Sequence, residues 1–179
     1  MRHITGIRIS GNQAKKSWIK GVIFALIAIV SLAFINPAMA TSVAELSGVA
    51  KNPVQLSTWM TQNLKYVLEM PHERQTAQAT LDLERGQCED FAILAQAVLK
   101  RMGIQSQVII IKYKGINIMH AVAIYKEAAG TYSFFSNQEL VRTKATSIEG
   151  AIGKMYPDWE RLFNADASGQ YQNVALKIK

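Results

Sequence analysis

The sequence predicts an α+β domain in which N-terminal helices pack on one antiparallel sheet. Three observations carry this. Apolar residues recur at helical spacing in two segments of the first half. A run of β-branched residues and two further strand-like stretches fill the middle. Short glycine-containing turns join those stretches, as they do between antiparallel neighbours. Helices followed by a strand meander is the α+β order.

The first helix is expected from Leu56 onward. Leu56, Trp59, Met60, Leu64, Val67 and Leu68 are spaced by three and four and describe one face; Pro53 suits the helix start and Pro71 its stop. Residues 72–86 read as a polar connection with a short helical turn around Ala77 to Leu83. Gly86 is a breaker, and the clearest helix follows, from Cys88 to Met102. Its stripe of Phe91, Leu94, Ala95, Val98, Leu99 and Met102 faces a core. Lys100 and Arg101 suit the last turn, and Gly103 ends it. Gln107 to Tyr113 contains Val108, Ile109, Ile110 and Ile111, a strand buried on both faces. Lys114 to Asn117 is turn-like, Ile118 to Lys126 is a second strand, and Thr131 to Ser136 is a third beyond a turn at Gly130. Ser147 to Phe163 reads as helical with an interruption at Pro157, and the tail Tyr171 to Lys179 as an edge strand.

Charge divides the 179-residue chain. The net +7 comes from 20 basic and 13 acidic residues. Five of the basic ones, Arg2, Arg8, Lys15, Lys16 and Lys20, lie in the first forty residues, which hold no acid; the remainder keeps fifteen against thirteen, a net +2. The basic start is followed by an apolar run from Gly21 to Ile35, a break at Asn36-Pro37, and the small residues of Ala38-Met39-Ala40. That order is a secretory signal peptide, residues 1–40, cleaved after Ala40. The run is short for a bilayer span of about 20 residues, so membrane contact is expected only through this segment, and the protein is expected to be exported, periplasmic or secreted. Residues 41–54 read as a flexible lead-in and 55–179 as the folded domain. No dense Lys/Arg stripe with interleaved aromatics follows, which speaks against nucleic acid. No metal-ligand cluster or EF-hand-like loop is visible, so neither metal nor cofactor is expected.

Cys88 is the single cysteine. It can form no internal disulfide, and in an oxidising compartment a free thiol is either used or buried. It opens a helix, where unpaired N–H groups and the dipole favour a thiolate and can hold an oxyanion. Gly86 would let a substrate backbone approach. Cys88 stands three residues before the core stripe, at the mouth of the helix, which argues against a merely buried small hydrophobe. Asp90 is read as a helix cap, Glu89 as a solvated acid. A thiol nucleophile needs a base. Beyond the leader only His72 and His120 exist; His72 follows Pro71 in a polar stretch and reads as a surface residue, which leaves His120. A third group should orient the imidazole: Ser136 and Asn137 both follow the aromatics of the next strand, and no Asp is present there. Asn137 reads equally well as a turn residue.

Taken together, these residues resemble the transglutaminase-like superfamily. Gly86-Gln87-Cys88-Glu89-Asp90-Phe91-Ala92, then Leu94 through Leu99 and Met102-Gly103-Ile104, are similar to its core "G-x-C-x-D-x-A…L…GI". Met119-His120-Ala121-Val122 resembles its histidine strand, Thr131 to Gln138 its third strand, and Trp59 to Tyr66 with Thr80-Leu81 the segments that precede the cysteine. The resemblance spans about residues 55–140 and is greatest to small, exported bacterial transglutaminase-like cysteine proteinases. It implies a papain-like core with Cys88 as nucleophile and His120 as general base. It also implies a peptide or protein substrate, and hydrolysis by way of a thioester rather than crosslinking. The family Asp falls most simply on Ser136 by register, with Asn137 beside it; asparagine fills this role in other cysteine proteases, so the resemblance favours Asn137 functionally. Serine or asparagine can orient an imidazole but cannot offer imidazolium a full charge, which leaves a catalytically weak or inactive peptide-binding module as the alternative. A cell-wall amidase of a related Cys-His class ranks last, because the "D-C-S-G" pattern of that class is missing around Cys88.

Overall fold

A computed structural model describes residues 42–68, 73–165 and 170–177. The expected leader with its cleavage site, Pro71, His72 and the final Ile178-Lys179 lie outside the described residues.

The segment expected to be a flexible lead-in contains a helix, α1 (Val43–Val49), capped by the Ser42 hydroxyl accepting the Glu45 N–H. A seven-residue helix is too short to persist alone; here Leu46 and Ala50, one turn apart, are buried in the main core. Helix α2 (Pro53–Asn63) starts as expected, with Pro53 in its first turn and the Asn52 side chain accepting the Gln55 N–H at 3.0 Å. It stops at Asn63 rather than near Pro71. Leu64 is extended, and strand β1 (Lys65–Tyr66) pairs in parallel with β2 (Arg85–Gly86). The Lys65 N–H donates to the Glu84 carbonyl and the Val67 N–H to that of Gly86. This pairing displaces a further helical turn, so Val67 and Leu68 leave the apolar face; Leu68 is 75% exposed.

Helix α3 (Ala77–Leu83) and the long helix α4 (Cys88–Arg101) fall where the sequence places them. In α4, Phe91, Leu94, Ala95, Val98 and Leu99 are all buried, and Gly103 follows with φ +76°, a left-handed conformation that glycine adopts without strain.

The main sheet has six strands: β3 (Ser106–Tyr113), β4 (Met119–Lys126), β5 (Tyr132–Ser136), β6 (Glu139–Arg142), β7 (Trp159–Ala165) and β8 (Tyr171–Leu176). They run in the order β6-β5-β4-β3-β7-β8, and every neighbouring pair is antiparallel. Helix α4 covers one face, over Val108, Ile110, Ala121, Ala123 and Phe135. Helix α5 (Ile148–Met155) covers the other, where Ala151 and Ile152 meet Ile109, Ile111, Val122, Ile124 and Phe134. The expected α+β class with helices on an antiparallel sheet is therefore present, and β8 is the expected edge strand.

Residues 159–163 are a strand and not the second half of a helix. Trp159 and Leu162 are buried three apart in the same cluster, which imitates a helix. The cause is a bulge: Lys112 pairs with Arg161 but Tyr113 with Trp159, so the alternation slips by one at Glu160. Strand β6 was not legible either. It is short, and it follows β5 through the two-residue turn Asn137-Gln138.

Candidate active site

The site lies where the start of α4 meets one end of the sheet. Cys88 is the first residue of α4 and is fixed there by Asp90, two residues on. The Asp90 carboxylate is fully buried; Oδ2 accepts the Gln87 N–H and Oδ1 the Gln75 N–H, each at 2.8 Å. The expected capping role is thus met, and the same carboxylate also ties down the loop before α3. A Cβ on Gly86 would stand 2.8 Å from the Asp90 Cβ. The Asp90 side chain thus leaves room only for glycine at position 86. The β1–β2 pairing brings Tyr66 alongside, its ring stacked on Phe91 at 6.3 Å.

His120 and Ser136 come from neighbouring strands that run in opposite directions. Ser136 is opposite Val122, so His120, two residues earlier on β4, shares its face one step nearer the sheet end. His120 Nε2 lies 3.1 Å from Ser136 Oγ, and Ser136 Oγ lies 2.7 Å from the Tyr156 hydroxyl. Asn137 does not take the serine's place. It is the first residue of the β5–β6 turn with φ 52°, a left-handed conformation asparagine tolerates. Its Oδ1 is buried without a hydrogen-bond partner. Between the two expected alternatives, the hydrogen bond to His120 is made by Ser136.

Cys88, His120, Ser136, Asn137 and Tyr156 all line one cleft of about 430 Å³, within the range of roughly 300–1,000 Å³ usual for ligand sites. Gln87, Tyr113, Ile118 and Met119 complete much of its wall. A smaller hollow of about 230 Å³ beside Trp59 is lined by no ionisable side chain among the described residues.

The electrostatics differ from expectation. Burial pushes the Cys88 thiol above its ordinary value, and the nearby Glu89 carboxylate adds to the rise. Backbone groups of Ala121, Glu89 and Cys88 itself pull the other way without overcoming it. The helix start therefore does not give a resting thiolate, because desolvation outweighs its N–H groups. The part played by Ala121 also places the sulfur beside the residue that follows His120. Burial lowers His120 from 6.5 to about 4. Both groups rest neutral near pH 7, a thiol and an imidazole on the wall of one cleft.

The His120 shift predicts a pH dependence of stability. The unfolded chain takes up this proton near 6.5 and the folded one only near 4. Stability from this group is complete above pH 6.5 and is lost as pH falls toward 4, by on the order of 2–3 kcal/mol. Melting temperature followed from pH 7 to pH 4 should show this slope, and His120→Gln should flatten it; an unchanged slope in the variant would contradict the assignment.

Tyr156, the cap of α5, is the site residue the sequence did not single out. Tyrosine before Pro157 is biased toward an extended backbone, which marks a helix end there but gives no sign of contact with Ser136.

The family model of the transglutaminase-like domain matches residues 39–146. No curated protein matches the chain. Among solved structures, the chain is similar to a candidate cysteine protease from Cytophaga hutchinsonii, with 16% identity and TM-score 0.45 over 83% of this chain and 54% of that one. It spans about half the length of that protein. It is also similar to LapG of Legionella pneumophila in calcium-bound form, with 14% identity and TM-score 0.49 over 74% of this chain and 78% of that one. The EGTA-treated form of LapG gives 16% identity and TM-score 0.47 over 72% and 76%.

Proposed function

The chain belongs to the transglutaminase-like family, and from that premise we propose that it is an exported cysteine peptidase that cleaves peptide amides through a thioester on Cys88. The observation that carries the reading is the shared cleft, with a thiol at a helix start and an imidazole whose Nε2 is engaged by Ser136.

With Nε2 occupied, Nδ1 is the nitrogen free to act as base. As Cys88 sulfur attacks the carbonyl carbon, its proton passes to His120 Nδ1 and the carbonyl oxygen becomes an oxyanion. The helix-start N–H groups of α4 near Cys88 are the donors offered to that oxygen. Nδ1 then returns the proton to the amine as the C–N bond breaks, leaving an acyl thioester. A water gives its proton to Nδ1 and attacks the thioester; the acid leaves, and the proton returns to sulfur. A lysine amine in place of water would give a crosslink. Hydrolysis is placed ahead of crosslinking on the resemblance of the Cys88 and His120 segments to the family's cysteine proteinases.

One observation favours a second reading, a peptide-binding module: the group on Nε2 is a hydroxyl and not a carboxylate. Trapping separates the two. Peptides cleaved or bound by the protein are quenched in acid and analysed by mass spectrometry, in parallel with hydroxylamine. A peptidase gives an acyl adduct on the Cys88 peptide and a peptidyl hydroxamate. Bound peptides that give neither would leave only the binding module.

A further inference from the structure

We propose that Tyr156 is a positioning residue that sets the protonation pattern of His120 through Ser136, in the place where a carboxylate would act directly; the proposal rests on His120 being the base of the peptidase reading. A serine hydroxyl is a free rotor with one proton. If it donates to His120 Nε2, the imidazole proton must sit on Nδ1, and the nitrogen required as base is blocked. If it accepts from Nε2–H, Nδ1 keeps its lone pair. Serine alone does not choose between these states.

Tyr156 offers the serine proton a second acceptor. Its hydroxyl is 2.7 Å from Ser136 Oγ, close enough to take the serine proton and leave the serine lone pairs to Nε2–H. Its ring cannot swing away easily. It packs at 5.4 Å from the His120 ring, 6.1 Å from Tyr113 and 6.1 Å from Phe134. The backbone is pinned as well: the Tyr156 N–H donates to the Ile152 carbonyl at 2.8 Å, and the Tyr156 carbonyl accepts the Trp159 N–H at 3.3 Å. When His120 takes the thiol proton, the same chain runs from imidazolium through serine to the phenol oxygen, spreading part of the charge without a carboxylate.

Tyr156→Phe tests this, since it removes one hydroxyl and keeps the ring and its packing. The direct readout is the His120 tautomer, from ring 15N chemical shifts at pH 7. Wild type should show Nε2–H, and the variant a mixture with Nδ1–H. On a peptide that the wild type cleaves, kcat should fall about tenfold, the size of one neutral hydrogen bond, with KM unchanged. An unaltered tautomer with unaltered kcat would overturn the proposal, and so would a loss confined to KM. The tautomer readout needs no turnover. A protein that fails to cleave any peptide but shows the tautomer change loses the peptidase reading and keeps the relay.

Discussion

Cys88→Ala is expected to abolish peptide cleavage, lowering kcat at least about a thousandfold, while the fold survives. Removing a nucleophile or its base leaves only binding and oxyanion stabilisation. His120→Ala should be nearly as severe, and the double variant no worse than either single one, because nucleophile and base act as a unit. Folding should be little disturbed in Cys88→Ala, since Cys88 is only half-buried and the start of α4 is held by Asp90 and not by sulfur. The pH profile adds a sharper expectation. A resting thiolate–imidazolium pair works between a low cysteine value and a high histidine value. Here burial pushes the two groups the other way, the thiol up and the imidazole down to about 4. Activity needs neutral imidazole and intact thiol, so kcat/KM should hold level from about pH 5 into the alkaline range. A narrow bell centred below pH 6, or full turnover by Cys88→Ala, would refute the neutral pair or the nucleophile respectively.

Asp90→Ala is expected to destabilise the protein by about 3–5 kcal/mol, a large share of the 5–15 kcal/mol that holds a typical domain. Two N–H groups, of Gln75 and Gln87, lose the fully buried carboxylate that accepts them, the second of them in a buried contact. Asp90→Asn keeps one acceptor but presents an amide N–H₂ to the other donor, so it should recover about half of the loss. Chemical denaturation of the three proteins decides the matter; an Asp90→Ala midpoint equal to wild type would mean that the carboxylate is not the anchor. The consequence reaches the site, because Gln87 is the residue just before Cys88. Gly86→Ala should damage the same anchor from the other side, since its Cβ would press on Asp90.

Much of the site could be read in the chain because its parts are local. A lone cysteine after glycine at the start of an amphipathic stripe, with Asp90 as cap, is decided within one helix, and α4 forms as that pattern requires. A histidine opening a strand and a polar residue closing the next are likewise visible in short windows. Even the choice of Ser136 over Asn137 follows from alternation once the register is known. The helix at Val43–Val49, the β1–β2 pair and strand β7 were not legible, because each exists through a distant partner.

The sequence by itself determined which residues are candidates for the site and which faces of α4 and β3 are apolar, because backbone periodicity and helix capping act over a few neighbouring residues. Only the tertiary structure decided that Cys88 and His120 rest neutral, that Ser136 is the partner of Nε2, and that Tyr156 stands behind it. Those outcomes depend on burial and on contacts between segments far apart in the chain, and burial is a property of the packed whole.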